Sequence, residues 1–172
     1  MSSPSDRARP LHVLVVVEDP DVKRAIEHVV SEEGDLFVAA SSIEDAVQAA
    51  TIDRVDIMFV ELRVEGGAAL ALCHHIPSLC PGVAVHAIVH PVEIDRGQVA
   101  LSLGATGLLV YPPNGEAIAR ALSDGKSESI RRKEITSLEA KPARERRRLE
   151  TYDPPARFAR GRSRSLRLRP RS

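Results

Sequence analysis

Residues 11–30 read LHVLVVVEDPDVKRAIEHVV, and they set the fold class. The first seven, 11–17, are a β-branched apolar run without polar alternation, which is how a strand covered on both faces reads. Asp19-Pro20 then marks a helix start, with Asp19 as the cap and Pro20 at the first helical position. Val22, Ala25, Ile26, Val29 and Val30 follow at the spacing of one apolar helical face, and Gly34 closes the helix. A buried strand followed directly by an amphipathic helix is the opening of a parallel βα unit.

The same alternation continues down the chain. Residues 36–40 predict a second strand, and Ser42 a cap for a helix carrying Ile43, Ala46, Val47 and Ala50, with Glu44 and Asp45 in its first turn. Residues 55–60 (VDIMFV) predict a third strand ending at Glu61, and Gly66-Gly67 a loop. A third helix is expected over 68–76, stopped before Pro77. Residues 83–89 predict the fourth strand and about 92–103 a helix ended by Gly104. Residues 107–110 predict the fifth strand, and Asn114 caps a last helix with Ile118, Ala121 and Leu122 on its apolar face. Five strands alternating with helices imply an α/β fold, a doubly wound five-stranded parallel sheet with helices on both faces. Its functional crevice lies at the carboxyl ends of the strands, next to Val17, Glu18, Glu61, Val89 and Tyr111.

Charge divides the chain. Residues 1–124 hold 8 Lys and Arg against 18 Asp and Glu, a net −10, whereas residues 125–172 hold 16 against 6, a net +10. The expected organisation is a disordered 1–10, a folded domain over 11–124, a charged helical linker over 125–150 and an Arg-rich disordered tail over 151–172. No stretch approaches a membrane span, residues 1–10 contain no signal core, and two cysteines suit a reducing compartment, so a cytoplasmic protein is expected. Cys73, His74, His75, Cys80, His86 and His90 form the one metal-like grouping. The cysteines lack paired CxxC spacing, and adjacent helical histidines project roughly 100° apart, so these read as core or surface side chains.

Three segments carry a resemblance. VLVVVEDPDVKRAI (13–26), DIMFVELRVEGGAALAL (56–72) and GATGLLVYPP (104–113) stand in the order and at about the separations of a response-regulator receiver domain of two-component signalling. The chain resembles that family over about 11–122. The resemblance implies an acidic pair for Mg²⁺, a phosphoacceptor Asp ending the third strand, a Thr or Ser ending the fourth and a Lys ending the fifth. These positions fall on Val17 and Glu18 (with Asp19 beyond), Glu61, Val89 and Tyr111, and the aromatic switch position on Leu108. A one-residue slip puts Ile88 or His90 at the fourth strand's end, still without a hydroxyl. Only Glu18 keeps the expected chemistry, with Glu18 and Asp19 as weak metal candidates, so Mg²⁺ binding is expected to be weak or absent.

The expected function is therefore a non-enzymatic, phosphorylation-independent pseudo-receiver acting through protein–protein interaction. Its partner would be another signalling protein or an output domain. Glu61 either mimics a phosphoryl group or is a solvated loop acid. Tyr111 reads first as support for a cis bond to Pro112, as the family has Lys-Pro there, and second as a binding-surface residue. The 92–123 face (Val92, Ile94, Val99, Leu103, Leu109, Ile118) is where the resemblance implies homodimerisation or partner binding, with a core role as the alternative reading of most of these residues. Two alternatives stand beside this. One is a nucleic-acid-associated regulator using Arg157, Arg160, Arg162, Arg164, Arg167, Arg169 and Arg171 for non-specific, salt-dependent phosphate contacts; the other is an ordinary phosphorelay response regulator.

Overall fold

A computed structural model describes residues 9–127, 131, 134 and 135. They fall in the first of two compact units, Met1–Ser137 and Leu138–Ser172. The expectations for 1–8, for most of the linker and for the Arg-rich tail lie outside the described residues.

Five strands form one parallel sheet in the order β2-β1-β3-β4-β5: β1 His12–Val16, β2 Leu36–Ala39, β3 Ile57–Glu61, β4 Ala84–Val89 and β5 Gly107–Val110. The helices are α1 Pro20–Glu32, α2 Ile43–Ile52, α3 Leu72–Leu79, α4 Ile94–Leu103 and α5, residues 115–127. Strand order reverses direction beside β1, and crevices open at such a point. The start signals act as read. Asp19 accepts from the Asp21 amide, Ser42 from the Asp45 amide, and Asn114 from the Ala117 amide at 2.8 Å.

Strand pleating sorts the core into two layers. Leu14, Val16, Met58, Val60, Val85, Ala87 and Val89 face α2, α3 and α4. Val13, Val15, Ile57, Phe59, Ala84 and Ile88 face α1 and α5 with Ile26, Val30, Ile118 and Leu122. By the same alternation Val17, Glu61, His90 and Tyr111 continue the α1/α5 side past the strand ends.

Two expectations change. The third helix does not stop before Pro77; it begins later, at Leu72, and holds Pro77 inside its last turn. Residues Val64–Ala71 form 3₁₀ turns kinked by non-helical Glu65, Gly66 and Gly67, all at positive φ, and they occupy the first half of the expected helix. The carbonyl of Cys73, which Pro77 cannot bond for lack of an N–H, lies 3.0 Å from where a Cβ on Gly104 would stand. On the expected dimer face, Leu109 and Ile118 are core residues, while Val92, Ile94, Val99 and Leu103 are exposed.

Among the described residues Phe59 is the largest fully buried side chain. Phe59→Ala is expected to cost about 3–5 kcal/mol in chemical denaturation, through lost burial and the cavity left behind.

Candidate functional site

A chain of side chains linked by hydrogen bonds and one ring stack covers the carboxyl edge of the sheet. Glu61 is the last residue of β3 and is only 5% exposed. One of its oxygens, Oε1, lies 3.1 Å from His90 Nε2 just past β4; the other, Oε2, accepts from the Glu18 amide at 3.2 Å. With Glu61 ionised, its carboxylate can only accept, which makes His90 Nε2 the donor of this pair. The His90 ring stacks on Tyr111 with centroids 3.9 Å apart. The Tyr111 hydroxyl donates to Asp19 Oδ2, which ties the end of β5 to the cap of α1.

The chain extends on the other side through the loop after β3. Glu18 Oε1 accepts from the Glu65 amide at 3.0 Å, and Glu65 Oε1 accepts from the Ile43 amide at the start of α2. Glu65 sits at φ 51, a left-handed conformation that costs a non-glycine residue free energy. These two bonds hold it there. From the opposite side Arg96 of α4 donates to the Gly67 carbonyl at 3.0 Å, and more weakly to that of Leu62. Gly67 sits at φ 97, a conformation that favours glycine, and a Cβ there would also displace the Arg96 guanidinium. Glu93 links Arg63 (2.5 Å) and Arg96 (3.2 Å), and the Arg63 guanidinium foremost holds its carboxyl below the usual range.

Each family position meets a definite fate. Val17 packs on the α1/α5 core and offers no oxygen. Val89 is buried on the opposite face, near Gly97 and Leu108. Leu108 turns inward: its Cδ1 lies 2.9 Å from where a Gly97 Cβ would be, so leucine and glycine fill the switch region together. Glu61 is not the solvated loop acid of one expectation, because it ends a central strand and both oxygens are bonded. The Tyr111–Pro112 peptide is cis, as expected, but the tyrosine ring stacks on His90.

The carboxylates do not fit a Mg²⁺ site. Such an ion needs about six oxygens converging on one point. Here both Glu61 oxygens, both Asp19 oxygens and one Glu18 oxygen serve separate protein donors. Among the described residues no group of three or more His, Cys, Asp or Glu could hold a metal ion. Of the metal-like grouping, Cys73 is buried with its thiol pushed up to about 11 by desolvation, and Cys80 donates to the Ala50 carbonyl. His74 and His75 are exposed on α3, with ring centroids 5.6 Å apart.

The sequence reading named His90 only in the metal-like grouping and as a slipped end of the fourth strand, not as the partner of Glu61, and it missed Glu65 and Arg96. His90 was recoverable: it stands two residues past Ile88, the β4 partner of Glu61, and so shares Glu61's side of the sheet. Arg96 carried no signal, since its reach depends on the path of the 3₁₀ stretch.

No protein-family model matches the chain. Transcriptional regulatory protein GlrR of Escherichia coli (strain K12) is 24% identical over 121 residues, covering 70% of this chain and 27% of that protein. This chain thus spans about a quarter of the length of that relative. NtrX from Brucella abortus matches with a TM-score of 0.67 at 20% identity, over 76% of this chain and 30% of that one. A response regulator receiver domain protein (CheY-like) from Methanospirillum hungatei JF-1 matches at 0.63 and 13% identity, over 74% of this chain and 99% of that one. The described residues have the receiver fold. No helix among them is long and apolar enough to cross a membrane.

The Tyr111 hydroxyl is the main influence that lowers the Asp19 pKa below 3.8, and Asp19 in turn raises that of the phenol above 10.0. Tyr111→Phe should move the Asp19 midpoint up toward 3.8 in an NMR titration. Because Asp19 is depressed in the folded state, its contribution to stability is present above the unfolded pKa and lost as pH falls; the variant should lose part of that acid-side dependence.

Proposed function

We propose that this chain is a pseudo-receiver: a non-enzymatic signalling module of receiver fold that works without aspartyl phosphorylation and acts by binding another protein. The observation that carries this reading is the Glu61–His90–Tyr111–Asp19 chain across the strand ends. Phosphoryl transfer to a receiver needs a free acceptor oxygen, a metal to neutralise charge, and a hydroxyl and ammonium to bind the transferred group. Here the acceptor position is a glutamate with both oxygens engaged, and valine and tyrosine stand at the hydroxyl and lysine positions.

The same arrangement argues against Glu61 as a mimic of the phosphoryl group. A mimic projects charge into the space above the strand, where a hydroxyl and an ammonium sense it. Glu61 instead directs its charge sideways into His90 and the Glu18 amide. With leucine packed inward at the switch position, the module holds a single output conformation.

Partner binding fits the face next to the site. Val92 (84% exposed), Val99, Leu103 and Val110 leave apolar surface on α4, β5 and the turn before α4. GlrR is named a transcriptional regulatory protein and is far longer than this chain, so an output segment or partner protein is the expected companion. A second copy docked on 92–123 belongs to the same reading, as does reduced-compartment, cytoplasmic residence. The Arg-rich tail as a polyanion-binding segment lies outside the described residues.

Incubation of the full chain with acetyl phosphate and Mg²⁺, followed by intact-mass spectrometry, is expected to show no phosphorylated species. Glu61→Asp alone should stay unmodified, since the metal, hydroxyl and lysine positions remain vacant of their chemistry. Stable, Mg²⁺-dependent phosphorylation of either form at position 61 overturns the reading.

A further inference from the structure

His86 lies outside the site and has no role in it. It points from β4 to the α1/α5 side, is 3% exposed, and its Nε2 has no hydrogen-bond partner among the described residues. An unpaired buried polar atom costs free energy comparable to its lost hydration, so such groups ask for a reason. The surroundings are built closely around the ring. Phe59 of β3 lies against it with ring centroids 5.7 Å apart. A Cβ on Gly107 would stand 2.9 Å from Nδ1, and one on Gly125 of α5 would stand 3.3 Å from Nε2. The strand thus crowds Nδ1, while on the helix a Cβ at Gly125 would first meet Ile57 Cδ1 at 2.8 Å, so both elements pack closely around the imidazole.

The closing element is the last part of α5. An open groove of about 390 Å³ runs between β5 and α5 and is lined by His86, Thr106, Arg120 and Asp124. Beyond Gly125, Lys126 pairs with Asp35 at 3.1 Å and Glu33 at 3.5 Å. That pair fastens the helix end to the turn before β2. The elements facing His86 are few. β3 presents Ile57 and Phe59, β5 presents Thr106 and Gly107, and α5 presents Gly125 with Asp124 and Arg120 as the charged groups. Arg120 is exposed and paired with Glu116.

We propose that residues 121–127 of α5 form a proton-coupled latch that closes only over neutral His86, so that acidification favours release of the helix end. Desolvation pushes the His86 pKa from 6.5 down to about 4, with Asp124 opposing weakly. Lifting the helix end returns water to the ring and restores its ordinary basicity. The open state therefore binds a proton that the closed state refuses, across the window between about 4 and 6.5. The folded pKa is the depressed one of a base, so closure is fully favoured above 6.5 and weakens as pH falls toward 4. The latch acts where the receiver fold hands over to the rest of the chain, at the opposite edge from Glu61.

Amide hydrogen exchange on the full chain tests this, with protection corrected for the intrinsic pH dependence of exchange. At about pH 7.5, residues 121–127 should open more readily than β3, by a local rather than a global route. Moving to about pH 5.5 should lower their protection about tenfold, the factor that linkage gives for these pKa values. His86→Leu should abolish that fall. Lys126→Gln should lower protection equally at both pH values and leave the ratio intact. The ring titration of His86 in the wild-type chain provides a check that needs no variant, and its midpoint should lie well below 6.5. Equal falls in wild type and His86→Leu overturn the latch. So does exchange of 121–127 only together with β3, or a folded-state midpoint near 6.5.

Discussion

The hydrogen bond between Glu61 and His90 is the constraint on which the rest of the site depends. It joins the two central strand ends where both side chains are largely withdrawn from water, 7% and 14% exposed. A carboxylate in that position without a donor would be costly to bury. His90 supplies the donor, and its ring then offers a flat face on which Tyr111 stacks. The tyrosine hydroxyl reaches Asp19, and the cap of α1 becomes part of the same unit. Remove His90, and Glu61 Oε1 loses its donor while Tyr111 loses its platform.

Rigidity spreads from there into the loop after β3. Glu18, whose amide feeds Glu61, holds Glu65 in its left-handed conformation, and Glu65 holds the start of α2. Arg96 grips the same loop from α4. Leu108 and Val89 pack closely against Gly97 of α4. The site edge and the α4 face are therefore set together, by side chains the chain carries permanently.

Much of the fold was legible in the sequence because βα units announce themselves through period and caps. Asp19, Ser42 and Asn114 all cap as read, and 107–110 is a strand with the bounds expected. The third helix was misplaced because Ala-rich 68–71 looks helical, while its conformation is governed by Glu65, Gly66 and Gly67 before it. Pro77 misled for a related reason: one lost hydrogen bond in a last turn did not end the helix. At the site, the substitutions at Val17, Glu61, Val89 and Tyr111 were readable one by one. Their interplay was not, because the His90–Glu61 contact depends on strand register and pleat parity, and the Arg96 contact on a loop path.

A double-mutant cycle between Glu61 and His90 tests the central claim most directly. Glu61→Leu and His90→Phe remove the two partners, with the phenyl ring keeping a surface for Tyr111. Stability of each form is read by chemical denaturation. Each single change is expected to leave a buried partner unpaired, and the double variant to lose less than the two singles summed, a coupling of about 1.5–3 kcal/mol. Additivity within about 0.5 kcal/mol would contradict it, leaving Glu61 and His90 as neighbours without a shared role.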